Sequence, residues 1–312
     1  MSRTRLLDRL GERWMAPMPK ERLATLRVAV GLFAWCYVTL RLFHFGDFTR
    51  LQDFRPVGVV GLLLEAPLPP STTWGLAIAT SLTGLAFALG WRFVVTGPAF
   101  AALLLWVTSY ASSWGMIFHT ENLLVLHVIV LCVCPAADAW SLDARGRPTT
   151  PDEGEDVDER YGWPVRLMCL LTVITYAIAG YTKLRVSGLQ WATSDLLRNY
   201  VAYDALRKAE LGSVHSPLGA WLASVPWVRQ PIAFISLAIE LGAPLALLGR
   251  RAAVVWVIAA WLFHVGVAAL MAIVFVYPIT GIAFAGFFPV ERLMEKVHAK
   301  LAAARSATRS GA

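Results

Sequence analysis

Apolar residues in this chain neither alternate nor keep to one helical face; they come in long runs. Eight stretches of about 16–21 residues lie at roughly 26–45, 73–90, 93–112, 120–137, 164–184, 230–249, 252–271 and 274–289. A helix rises about 1.5 Å per residue, so some 20 apolar residues cross the ~30 Å hydrocarbon core of a bilayer. Backbone groups cannot stay unpaired in lipid, so every stretch is predicted to be helical. The fold class this implies is all-α: a polytopic integral membrane bundle of about eight transmembrane helices.

The polar segments between the runs give an orientation. Basic residues gather in the N-terminal tail (Arg3, Arg5, Arg9, Arg13, Lys20, Arg22), at Arg92, at Arg250–Arg251 and in the C-terminal tail (Arg292, Lys296, Lys300, Arg305, Arg309). With an even number of spans all of these fall on one side, which the positive-inside rule makes cytoplasmic. The expected organisation is a cytoplasmic amphipathic tail over 1–25, a transmembrane domain over 26–289 and a cytoplasmic tail over 290–312. The expected location is the cell membrane, crossed several times, with both termini inside. One long outer loop, about 185–229, carries basic residues against the rule, but long loops translocate largely regardless of charge. Within it LLRNYVAYDALRKA reads as an interfacial helix or re-entrant cap, with Leu197, Tyr200, Val201 and Leu206 available for one face.

Composition supports the class and adds exclusions. The chain is 57% hydrophobic and 16% charged, with a mean hydropathy of +0.57, which leaves no sizeable soluble domain. The net charge of +7 sits in tails and short loops, as expected of a protein whose partner is the bilayer and not a nucleic acid. The first 20 residues lack the apolar core and cleavage site of a signal peptide. Cys36, Cys132, Cys134 and Cys169 all fall in apolar runs, where cysteine acts as a small buried hydrophobe, and no metal site is expected. The acidic run PDEGEDVDER is read as a solvated loop. Gly-rich phosphate loops, HExxH and serine-elbow motifs are absent from the sequence.

Candidate chemistry centres on YAIAGYTKLRVSGLQW, Tyr176 to Trp191, where an apolar run ends on Lys183. An ammonium at the edge of hydrocarbon is costly unless paired or hydrated. The same surroundings favour the uncharged amine, the form able to accept a proton. Tyr176, Gly180 and Lys183 stand at i, i+4 and i+7, on one helix face, with Gly180 admitting a neighbouring backbone. The Lys183 stem has two courses open, snorkelling to water or turning inward. Glu240, in SLAIELGAPLALL, and His264, in WLFHVGVAALMA, are predicted near mid-bilayer on consecutive helices, where a bare charge is untenable. The run FHTENLLVLHVIV adds His119 and Glu121 at its outer end, with His127 deeper.

These residues resemble the horizontally transferred transmembrane (HTTM) domain family, which includes the vitamin K-dependent gamma-carboxylase. The resemblance rests on AWSLDA at 139–144, the Tyr176–Trp191 stretch, the acid in AIELGAPLALL, and FHVGVAALMAIVFVYPITGIAFAGFFP at 263–289. It implies that Lys183 is a general base toward a lipid-soluble quinol, such as vitamin K hydroquinone or menaquinol. Glu240 and His264 would then relay the proton or hold the lysine, and His119 corresponds loosely to a site histidine. Tyr176, Gly180, Trp191, Trp140 and Asp143 are the candidate substrate-binding residues. Only about twenty residues follow the last run, so the propeptide-binding portion needed for protein gamma-carboxylation is not expected. Two readings stay open: a membrane-embedded enzyme of this type, and a carrier or partner subunit using the Lys183/Glu240/His264 cavity for proton or substrate passage.

Overall fold

A computed structural model describes residues 14–115, 119–145, 157–294 and 296. The extremes of both amphipathic tails and most of the acidic run lie outside the described residues. Among the described residues the molecule is helical, as expected, with strand pairing confined to a two-residue antiparallel match of Met18–Pro19 with Val157–Asp158 and an isolated bridge between Phe54 and Trp114. It divides into two compact units, Met1–Met168 with Phe288–Ala312, and Cys169–Phe287.

The first unit is built on α1 (Lys20–Leu40), α2 (Pro70–Leu89), α3 (Phe93–Ala111) and α4 (Asn122–Cys132). Helices α1 and α2 approach closely because Gly31 has no side chain: a Cβ there would stand 2.9 Å from the Ala88 backbone. Gly90, in the left-handed region at φ 61°, turns α2 into α3. Asp143 caps the start of α3, its two carboxylate oxygens accepting from the amides of Arg92 at 2.8 Å and Phe93 at 2.7 Å. Arg27 is fully buried on α1, and its Nη2 donates to the Trp140 carbonyl at 2.6 Å. This contact satisfies part of a charge that could not otherwise be buried. Residues 47–69 fold over the end of α3, where Phe48 and Val60 pack on Tyr110.

The second unit comprises the later part of α5 (Glu159–Ser187), then α6 (Leu196–Glu210), α7 (Pro217–Ser224), α8 (Pro226–Leu241) and α9 (Arg250–Met271). Helix α6 packs on α7, and α7 and α8 pack on α9. The expected outer loop 185–229 is therefore mostly helix.

The count of spans differs from eight. Among the described residues, five helices (α1, α2, α3, α5 and α9) are long and apolar enough to cross a membrane. A sixth crossing is made if α7 and α8, bent by 110°, count as one broken span. The run at 120–137 yields only α4, whose 11 residues rise about 16 Å before Pro135. The run at 230–249 breaks at Gly242 into a 3₁₀ turn, Ala243–Leu247, containing Pro244. The run at 274–289 forms a four-residue helix, Val276–Ile279, and a 3₁₀ turn, Ile282–Phe287. Pro278 and a left-handed Gly281 at φ 79° interrupt it. Hydropathy marks residues that avoid water, whether or not their backbone continues as one helix.

Candidate functional site

Helix α5 carries Tyr176, Gly180 and Lys183 along one face, and α8 lies against that face. A Cβ at Gly180 would stand 2.9 Å from Cβ of Glu240 and 3.1 Å from Cδ2 of Leu241, so only glycine admits this approach. The approach brings Nζ of Lys183 to 2.5 Å from Oε1 of Glu240. Glu240 belongs to the last turn of α8, beside the break at Gly242, not to the middle of a continuous span. Its side chain is 5% exposed and that of Lys183 22%, so the lysine stem has turned inward onto its partner. The ammonium also rests 4.7 Å from the centre of the Trp191 ring and 5.9 Å from that of Phe263. An aromatic face attracts a cation by about 0.5–2 kcal/mol depending on its hydration. Trp191 is itself oriented by donating from Nε1 to Oγ of Ser236 at 3.4 Å.

A second polar pair lies deeper in the same unit. The Tyr176 hydroxyl is 2.6 Å from Nε2 of His264, both residues being buried. The rings of Trp256, Phe275 and Phe284 pack around the pair. Trp256 donates from Nε1 to the Ile239 carbonyl at 3.0 Å, tying α9 to α8 beside Glu240. Tyr176 precedes Gly180, on which Glu240 packs, by one helical turn of α5. Among the described residues neither Oε2 of Glu240 nor Nδ1 of His264 has a hydrogen-bond partner, although both are buried. Lys183–Glu240 and Tyr176–His264 are thus two neighbouring pairs.

Lys183 opens onto a cavity of about 500 Å³. One stripe of α9, including Ala259, Phe263, Gly266, Leu270 and Met271, forms one wall. Ile235, Ser236 and Ile239 of α8 and Leu197, Tyr200 and Val201 of α6 form others. The lining is apolar apart from Lys183, the Ser236 hydroxyl, the Trp191 ring nitrogen and the Tyr200 hydroxyl. Leu206, expected on the same face as Val201, is 60% exposed instead. Five residues at about 100° each turn it well away from Val201.

Asp204 takes the inward place, paired with Lys208 at 2.7 Å and Arg207 at 3.1 Å. Lys208 also donates to the Met271 carbonyl at 2.5 Å and Ser216 to that of Ala269, together satisfying the end of α9.

The remaining candidates belong to the first unit. His119 is exposed at the entry to α4. Trp140 occupies a left-handed turn at φ 49° and supplies the carbonyl that Arg27 uses, and Asp143 caps α3. Glu121 accepts from the Tyr37 hydroxyl and, at 2.5 Å, from Oγ1 of Thr120, and Arg41 donates to Tyr37. His127 is a buried histidine with Nε2 3.1 Å from the Met168 carbonyl.

Sequence reasoning missed Ser236, Trp256, Phe263 and Gly266. Helical spacing held a signal for two of them: Ser236 precedes Glu240 by four residues and Trp256 precedes His264 by eight, each on the same face. Among the described residues no three His, Cys, Asp or Glu side chains converge to hold a metal ion.

Compared with known proteins, the chain matches a family model described as HTTM domain over residues 15–291, most of its length. No curated protein and no solved structure is similar enough to match.

Proposed function

Because the chain belongs to the HTTM domain family, we propose that it is a membrane-embedded enzyme in which Lys183 takes a proton from a lipid-soluble, quinol-like substrate. The observation that carries this reading is a lysine at the wall of an apolar cavity, held at 2.5 Å by a buried carboxylate. Proton transfer from Nζ to Oε1 of Glu240 converts the ion pair into an amine and a carboxylic acid. The amine then accepts the substrate hydroxyl proton: the O–H bond breaks, an N–H bond forms, and the electron pair stays on the substrate oxygen. The new ammonium stabilises that oxyanion, and the apolar walls strengthen the attraction by excluding water. Trp191 orients the ammonium, while Tyr176 and His264 offer the next donor–acceptor pair through which a proton could leave Glu240.

In this reading the protein lies in the cell membrane with both termini cytoplasmic, and its substrate enters from the lipid. His119, Trp140 and Asp143 have no step in the scheme. A menaquinol with a shortened chain is the probe. Purified protein in mild detergent is expected to speed oxidation of this quinol above its rate in air alone, dissolved oxygen taking two electrons and two protons from it to leave quinone and hydrogen peroxide, and Lys183→Ala to lose that added rate by about 10²-fold or more, the usual contribution of a positioned base. Equal rates in the two proteins would sink the assignment. Proton-coupled solute flux in proteoliposomes without any product would favour the carrier reading.

A further inference from the structure

A second cavity, of about 440 Å³, lies within the first unit beside the end of α2. Val28 and Leu32 of α1, Leu89 of α2, Leu142 and Met294 give it apolar walls, and Arg145 is its charged lining residue. The helices place it at a membrane boundary. Gly31 sets α1 against Ala88, the apolar run of α2 stops at Leu89, and the exposed Trp91 and Arg92 follow. A tryptophan and an arginine directly after an apolar helix mark the head-group layer. Leu32 and Leu89 are exposed, so the cavity continues along an apolar edge toward the hydrocarbon.

Charge narrows the choice of ligand. Arg145 is exposed, and among the described residues its guanidinium has neither a hydrogen bond nor an ion pair. Arg27 stands behind the Ser141 wall: a Cβ at Gly90 would overlap both its Nη1 and the Ser141 side chain. Arg27 is fully buried and donates from Nη2 to the Trp140 carbonyl. Its Nε and Nη1 have no hydrogen-bond partner among the described residues. A buried charge left in that state is costly. The acid of this segment, Asp143, has one oxygen on the Arg92 amide and the other on the Phe93 amide. Two guanidiniums therefore stand here with one carboxylate, whose hydrogen bonds go to α3. A guanidinium fork suits phosphate oxygens, and basic pockets at the ends of transmembrane helices suit anionic head groups. A free anion would leave the apolar walls uncovered, whereas a phospholipid covers the walls and meets the charge. A zwitterionic head would bring its own cation toward the arginines.

We propose that this cavity binds one anionic phospholipid, with its phosphate on Arg145 and an acyl chain along Leu32 and Leu89. Arg27 adds a positive field from behind the wall. The site is separate from the Lys183 cavity and does not depend on the chemistry proposed there.

Phosphatidylglycerol and phosphatidylcholine with matched chains are the probes, offered in equal amounts to the full chain in mild detergent and read by native mass spectrometry. Wild-type protein is expected to retain phosphatidylglycerol about fivefold or more over phosphatidylcholine, the effect of roughly one basic contact with an anionic lipid. Arg145→Ala is expected to lose that preference and Arg145→Lys to keep most of it. Ala144→Trp, which fills the cavity, is expected to lose it as well. Arg251→Ala removes an exposed charge elsewhere and leaves the preference intact. Equal retention of the two lipids by wild-type protein overturns the proposal, and so does a preference that survives Arg145→Ala. Displacement of the bound lipid by millimolar inorganic phosphate would show a simple anion site and overturn the lipid assignment. The wild-type comparison stands even if Ala144→Trp does not fold.

Discussion

Lys183 shows how little of a residue's fate is written beside it. Its position on the face of Tyr176 and Gly180 is a matter of helical spacing, legible in the sequence. Its partner is 57 residues away, and the partner of Tyr176 is 88 residues away. Spacing along one helix cannot decide whether Glu240 meets the lysine, the tyrosine or the histidine. The sequence left the lysine stem two courses, and the inward one is taken because glycine at 180 lets α8 bring a carboxylate within reach. The pair also has a mechanical consequence. Lys183→Met leaves a buried carboxylate without its counter-ion and is expected to cost about 3–5 kcal/mol. The double change Lys183→Met with Glu240→Leu is expected to recover most of that loss, since apolar replacement of a buried pair is often neutral. Denaturant or thermal unfolding in detergent reads both. A double variant as unstable as the single one would show that the pair's geometry, beyond its charge balance, holds α5 and α8 together.

At the scale of elements, runs that are alike in hydropathy part company in backbone. The runs giving α1, α2, α3, α5 and α9 continue as single helices. Those near 120–137, 230–249 and 274–289 contain Pro135, Pro244 and Pro278, and each breaks. Proline removes an amide donor, and in the last two runs the 3₁₀ turns Ala243–Leu247 and Ile282–Phe287 keep backbone groups paired locally. The prolines were legible, but whether each ends a span or only kinks it depends on what repairs the broken ladder. The AWSLDA stretch makes the same point. Its Asp143 caps a helix that begins 50 residues earlier, at a distance no local capping signal covers. Asp143→Ala is expected to destabilise the first unit by about 0.5–2 kcal/mol, the usual cost of a lost N-cap. Hydrogen exchange at the first turn of α3, measured alongside unfolding, checks that the loss is local to that end.

At the scale of the whole chain, the proposed orientation rests on where basic residues fall: an even number of crossings would keep both tails on one side. With the four native cysteines replaced, single cysteines at Ser2 and Ser310 are expected to react with a membrane-impermeant reagent only after cells are opened. Cysteines at Asp53 and Arg198 are expected to react in intact cells. Labelling of residues 2 and 310 from opposite sides would rule out an even count. Membrane residence, the helical class and the face shared by Tyr176, Gly180 and Lys183 were set by the sequence alone. They follow from apolar length and helical period, which are properties of contiguous residues. The broken spans, the Lys183–Glu240 and Tyr176–His264 pairs, and the cavity beside Lys183 were decided only by tertiary structure. The breaks depend on what re-pairs the backbone around a proline, and the pairs and the cavity on how distant helices pack, as where Gly180 admits α8; no single segment contains either.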